Sequence, residues 1–190
     1  MKTKGNDISS EINHLSNTEE RWFAVYTKYK CEKFVANLLA KKNISAYVPL
    51  VEVTKKYSSK IKRYEVPLIN CYVFVKITKS QYVSVLETEY VMGFLKQRKN
   101  LISIPEQEID IMKLVVGEIE DVEAGNISLK EGDQVEVMSG QLTGLEGMLL
   151  ESEGNKRFVV ALTTVGMQLS MTIDKNKLKL KKRGVATSSS

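Results

Sequence analysis

The chain is poor in the residues that staple, chelate or react. Two cysteines, Cys31 and Cys71, stand far apart in apolar-patterned segments without a CxxC partner, which argues against a disulfide or a metal site and fits a reducing compartment. One histidine, His14, lies in a polar leader without ligand-type neighbours. There is no GxxxxGK[ST], no nucleophile elbow and no metal-ligand cluster, so catalytic and metal residues are expected to be none, with no cofactor. No apolar run approaches the length of a membrane span, and Met1 to Glu20 lacks the apolar core of a secretory signal, so a cytoplasmic protein without membrane contact is expected. Gly140, Gly144 and Gly147 mimic a phosphate loop but lead into a strand, without the helix N-terminus such a loop requires.

Charge is plentiful and unevenly placed. The 28 Lys+Arg against 23 Asp+Glu give +5 over 190 residues, yet Lys28 to Arg63 holds ten basic residues against only Glu32 and Glu52. Glu118 to Glu123 carries four acids and no base. A basic patch of that density suggests a polyanion, most often nucleic acid.

Periodicity divides the chain. Residues 1–19 read as a mobile leader. WFAVYT, Trp22 to Thr27, alternates as a strand. Cys31, Phe34, Val35, Leu38 and Leu39 then form one face of a helix between Tyr29 and Lys42, stopped at Asn43. Ala46 to Val53 reads as an edge or bulged strand because of Pro49. Thr54 to Tyr64 reads as an exposed basic hairpin turning at Ser58-Ser59. Leu68 to Ile77 is nearly unbroken apolar sequence and predicts a central strand buried on both faces. Ser80 can cap a short helix over Tyr82 to Leu86, Val91 to Lys96 predicts a fourth strand, and Pro105 opens a helix with Glu106 and Glu108 at its positive end. The order β-α-β-β-α-β-α over residues 20–117 suits an α+β, ferredoxin-like antiparallel sheet with helices packed on one side. An acidic linker over 118–128 follows. Five short strands with glycine bends, including Gly154-Asn155, predict a small SH3-like β-barrel over 129–182, before a frayed tail at 183–190.

Two stretches carry a family resemblance. KEGDQVEVMSGQLTGLEGMLLE, Lys130 to Glu151, resembles the KOW motif: a G-D-x-V-x-V strand, a glycine-bearing loop, and Gly147 entering the next strand. RWFAVYTKYKCEKFVANLL, with PLINCYVFVKI and VMGFL, resembles the N-terminal domain of the NusG family of transcription elongation factors. PLINCYVFVK is similar to the LFPGY and LFPNY stretches of that family and points toward its specialised members of the RfaH and UpxY type; Ile69 and Asn70 replace the aromatic and the proline.

The resemblance implies a factor that binds RNA polymerase and suppresses pausing or termination, on capsular or other polysaccharide operons. By it, Leu68, Ile69, Tyr72 and Phe74 would grip the clamp helices of the β-prime subunit; the alternative is that all four are ordinary core residues. Tyr82 to Leu86 would approach the gate loop of the β subunit. Lys28, Tyr29, Lys30, Lys33, Lys41 and Lys42 would hold non-template DNA or nascent RNA, lysines attracting phosphate and the aromatic stacking on a base. Leu142 and Leu145 would present the KOW loop to Rho or to a small-subunit ribosomal protein. A KOW-type RNA- or ribosome-binding protein without polymerase contact is the competing reading.

Overall fold

The computed structural model describes residues 13–58, 60–118, 122–126, 132–152 and 155–182. The expected tail, most of the leader, the centre of the acidic stretch, Lys130 with Glu131, Ser59 and the bend at Gly154 lie outside the described residues.

The first unit is built on strands β1 (Arg21–Thr27), β2 (Ser45–Tyr47), β5 (Tyr72–Ile77) and β6 (Val91–Phe94), hydrogen-bonded antiparallel in the order β2-β5-β1-β6. Setting the first strand between the third and the last is the split β-α-β order expected of a ferredoxin-like sheet. Between β2 and β5 the basic hairpin is a separate ribbon, β3 (Leu50–Lys56) with β4 (Ile61–Pro67), closed by a hydrogen bond from Tyr57 N to Lys60 O at 2.8 Å. A small hairpin, β7 (Lys96–Gln97) with β8 (Asn100–Leu101), follows β6.

Alternation along β1 sends Phe23 and Val25 to one face and Trp22 and Ala24 to the other. The first face joins Val73, Val75 and Ile77 of β5 beneath α1 (Glu32–Lys41) and α2 (Tyr82–Leu86), through Val35, Leu39 and Val85. The second joins Phe74 beneath α3 (Glu106–Glu118), through Ile109, Met112 and Val115. Helices therefore cover both faces, not one. The doubly apolar β5 requires this, because either face left open would expose fully buried side chains such as Phe74 or Val75 to water.

Polar residues set the helix ends. Glu32 in the first turn and Lys41 in the last oppose the dipole of α1, and Asn43, at φ 57°, turns the chain out of it. Thr78, not Ser80, caps the 3-10 turn Lys79–Gln81 that leads into α2; its backbone N–H donates to Gln81 Oε1 at 3.0 Å in a reciprocal capping box. The end of the leader is docked: His14 N donates to Leu101 O at 3.0 Å, Ser103 N to His14 Nδ1 at 3.1 Å, and Lys79 N to Ser16 O at 2.8 Å.

The expected Leu68 to Ile77 strand is interrupted. Residues 68–71 form a turn, with Cys71 at φ 64°. The cause is remote in sequence: Glu32, 1% exposed on α1, accepts the Cys71 backbone N–H at 2.6 Å, while Cys71 O accepts from Thr27 N at 2.9 Å. Pro49 likewise separates β2 from β3.

The second unit is one antiparallel sheet of β9 (Glu123–Asn126), β10 (Asp133–Val137), β11 (Glu146–Ser152), β12 (Asn155–Leu162), β13 (Met167–Met171) and β14 (Leu178–Lys182), in the order β14-β10-β11-β12-β13-β9. Six strands replace the expected five. β9 comes from the stretch expected to be a linker and pairs with β13. Among the described residues no pairing joins the two end strands, so the sheet curls around Phe158, Leu162, Leu169 and Met171 without closing by hydrogen bonds. The units touch at α3. Glu108 Oε1 accepts from Thr163 Oγ1 at 3.1 Å and from Thr164 N at 2.9 Å, both in the turn between β12 and β13.

Candidate interaction surfaces

The turn before β5 and the strand itself carry the four residues expected to face a partner. Leu68, Ile69 and Phe74 are buried in the core beneath α3, Phe74 completely. Tyr72 alone is half-exposed. Its ring lies 4.8 Å from that of Tyr26 and 6.5 Å from Phe74, and Tyr47 packs 6.3 Å from Phe74 on the other side. Burial, and a hydrogen bond with Tyr26, push the Tyr72 hydroxyl well above its ordinary range. Burial alone pushes Tyr47 up to about 12. The Tyr47 hydroxyl is buried without a hydrogen-bond partner among the described residues. The result is a tyrosine edge with neutral, desolvated hydroxyls on a rigid aromatic base, suited to docking an apolar surface that brings its own hydrogen-bonding groups.

A second surface lies where β1 runs into α1. Lys28 Nζ sits 5.4 Å from the Tyr90 ring, and Lys30 Nζ 5.2 Å from that of Tyr29, which is 64% exposed. Phe34, expected in the helix core, is instead 47% exposed and packs 5.6 Å from Tyr90. It lies at the edge of the apolar stripe whose centre, Val35 and Leu39, is fully buried. Met92 is also exposed. Phe34 and Tyr90 extend the basic face with aromatic surface; an aromatic directly after an acid, as in Glu89-Tyr90, is the available signal. Lys33 is paired with Glu65 at 3.0 Å. Lys42 is committed to the end of α2, donating to Ser84 O and Thr88 Oγ1, both at 2.9 Å, so it is not presented as a free cation. Lys41 remains exposed. Lysines over exposed rings can attract phosphate while the rings accept a base, the combination single strands require.

The short helix α2 turns Val83 and Leu86 outward and Val85 inward. In the second unit Leu142, expected to be presented, is 5% exposed and belongs to the core; Leu145 is half-buried against it. The loop places Leu142 inward because Leu145 N returns to Leu142 O at 3.0 Å and Gly144 N to Val137 O at 2.8 Å, folding it onto β10. Met138 is the exposed apolar residue beside it.

Fold and surfaces together describe a basic, aromatic-bearing first unit and a small all-β second unit. Residues 20–113 match the family model described as transcription termination factor nusG. Over 156 residues the chain is 29% identical to the transcription termination/antitermination protein NusG of Streptococcus pyogenes serotype M3, covering 75% of this chain and 86% of that protein. The serotype M1 protein matches to the same extent. A solved structure described as domain interaction in Thermotoga maritima NusG shares the fold with a TM-score of 0.54 at 19% identity, over 88% of this chain and 100% of the other. By both sequence comparisons the chain is similar to the NusG family of transcription termination and antitermination factors.

Proposed function

We propose that this protein is a transcription elongation and antitermination factor that rides on RNA polymerase and suppresses pausing or termination on a restricted set of operons, capsular or other polysaccharide operons among them. The observation that carries the reading is the presence, on one rigid sheet, of the half-exposed Tyr72 edge and the lysine-aromatic face at the mouth of α1. In this reading Tyr72 and its neighbours meet the clamp helices of the β-prime subunit, while Leu68, Ile69 and Phe74 support the edge from beneath. Val83 and Leu86 face the gate loop of the β subunit. Lys28, Tyr29 and Lys30, with Phe34 and Tyr90, hold the non-template strand. No bond is made or broken: occupying two parts of the polymerase favours its closed state by the difference in affinity between closed and open forms. The Met138 side of the KOW loop is the part of the second unit left to recruit Rho or a small-subunit ribosomal protein.

The test is capture of core RNA polymerase by the full chain. Phe74→Ala is the wrong probe, since emptying a fully buried aromatic site costs about 3–5 kcal/mol of fold stability. Tyr72→Ala, checked for its fold by circular dichroism, and Val83→Glu, on an exposed position, are the informative variants. Each is expected to weaken capture at least about tenfold, a 1.4 kcal/mol effect. Undiminished capture by both folded variants, or strong RNA binding without any polymerase binding, would overturn the reading.

A further inference from the structure

A cavity of about 360 Å³ lies apart from the Tyr72 edge and the basic-aromatic face, where the docked leader meets the 3-10 turn before α2, the Val83 side of α2 and the β7–β8 hairpin. The leader is its wall. His14 is pinned to Leu101 and Ser103, Ser16 to Lys79, and Arg21 Nη1 donates to His14 O at 3.2 Å, which holds Leu15 against the cavity. Lys79, Lys96 and Lys99 line it, and among the described residues no carboxylate does. None of these three lysines is in an ion pair among the described residues, whereas Lys33, Lys76, Lys113 and Lys181 each hold a carboxylate. Three lysines lining one concavity, with no carboxylate among the lining residues, give it a positive potential that favours an anion. The remaining lining is different in character. Tyr82, stacked on Phe94 with ring centroids 4.9 Å apart, and Leu15 and Leu101 supply apolar surface beside the charges. The volume falls within the range of small-ligand sites.

We propose that this cavity binds a nucleoside phosphate, with Lys79, Lys96 and Lys99 on the phosphate and Tyr82 with Leu15 against the base or sugar. An acidic peptide would satisfy the lysines but leave the apolar side unfilled. The same chemistry is offered by a free nucleotide and by one nucleotide of a strand that continues past the cavity. The proposal does not depend on polymerase binding.

The experiment is fluorescence anisotropy on the full chain with labelled ATP, labelled GTP, and short labelled oligo(dT) and oligo(U) as separate probes. The double variant Lys96→Ala/Lys99→Ala, on an exposed hairpin, is expected to weaken binding at least about tenfold, as the loss of charge-assisted contacts predicts. Lys96→Arg/Lys99→Arg is expected to retain binding, and Lys179→Ala, in the second unit, to leave it unchanged. Sensitivity with the nucleotides identifies a free nucleotide as the ligand; sensitivity with the oligonucleotides alone identifies a strand. No binding of any probe, or equal binding by the wild type and the Lys96→Ala/Lys99→Ala variant, overturns the proposal.

Discussion

The two units solve the same backbone problem in opposite ways. Where the second unit needs a left-handed residue, at φ 89°, 86° and 73°, it uses glycine: Gly140, Gly144 and Gly166. The first unit uses glycine once at positive φ, Gly93 at φ 147°, and otherwise Lys30, Asn43, Cys71, Tyr90 and Arg98 at φ 63°, 57°, 64°, 66° and 59°. Asparagine tolerates this region; for the other four it costs about 1–2 kcal/mol each. Those four are not scattered. Lys30 and Tyr90 belong to the basic-aromatic face, Cys71 precedes Tyr72, and Arg98 sits in the turn of the β7–β8 hairpin beside the lysine cavity. Backbone strain in the first unit thus coincides with its candidate contact surfaces, as at sites where a side chain is held for a partner rather than for the fold. Charge divides less cleanly, since Lys33, Lys76 and Lys113 of the first unit also hold carboxylates. Lys181 of the second unit reaches Glu136 at 3.2 Å and Glu146 at 3.0 Å, while Lys28 and Lys30 stand over tyrosine rings.

The largest expected effect breaks one unit and spares the other. A Cβ at Gly147 would lie 2.5 Å from Val159 O and 2.7 Å from Phe158 Cζ, in the centre of the second unit's core. Backbone oxygen cannot yield as a flexible side chain would. Gly147→Ala is therefore expected to destabilise that sheet by about 3 kcal/mol, at the upper end of overpacking costs. Denaturant unfolding followed by the lone Trp22, which lies in the first unit, should barely change, while amide exchange in β11 and β12 should rise sharply. Simultaneous loss of both units would mean that they form one cooperative body and that the contrast drawn between them is superficial.

Glu108→Ala tests the joint itself. Its carboxylate is buried, Oε1 receives two donors from the Thr163–Thr164 turn, and Oε2 has no hydrogen-bond partner among the described residues. A carboxylate placed this way has a single use, to hold that turn against α3. Removing it is expected to weaken the contact by about 2 kcal/mol, the scale of hydrogen bonds to a charged acceptor. The readout is hydrogen exchange at the Thr164 amide. Unchanged protection there would show that Val165 and the surrounding apolar contacts, not Glu108, join the units.

What could be read from the sequence follows from the range of the forces involved. β1, α1 and α3 announce themselves because alternation, helical spacing and end charges are local. The turn at 68–71 could not be seen, since Leu68 and Ile69 read as strand and the group that bends the chain, Glu32, lies on another element. Phe34 reads as core from its place in the apolar stripe, but it lies at the stripe's edge and meets Tyr90 only once the fold brings the two rings together. β9 contains Ala124, Gly125 and Asn126, poor strand formers, and exists through its pairing with β13. The docked leader was hidden for the same reason: His14 has no partner nearby in sequence, and Ser103 comes from the far end of the first unit. The basic-aromatic face was half legible, its lysines by composition and its additional rings only once the fold had assembled them.

The smallest effect probes the contrast at a single residue. Cys71 holds the left-handed position immediately before Tyr72, where the stretches LFPGY and LFPNY that this one resembles carry glycine or asparagine. Its N–H to Glu32 and its carbonyl to Thr27 are backbone bonds that any residue could make. Cys71→Asn keeps both and adopts the conformation more readily, so it is expected to stabilise the first unit by about 0.5–1 kcal/mol. A rise in the denaturant midpoint with an unchanged slope, alongside unaltered polymerase capture, would show that the strain is incidental to the surface it borders. A stability gain accompanied by weaker capture would show that the strain aims Tyr72, and that the first unit gives up stability at this turn to hold its contact edge in place.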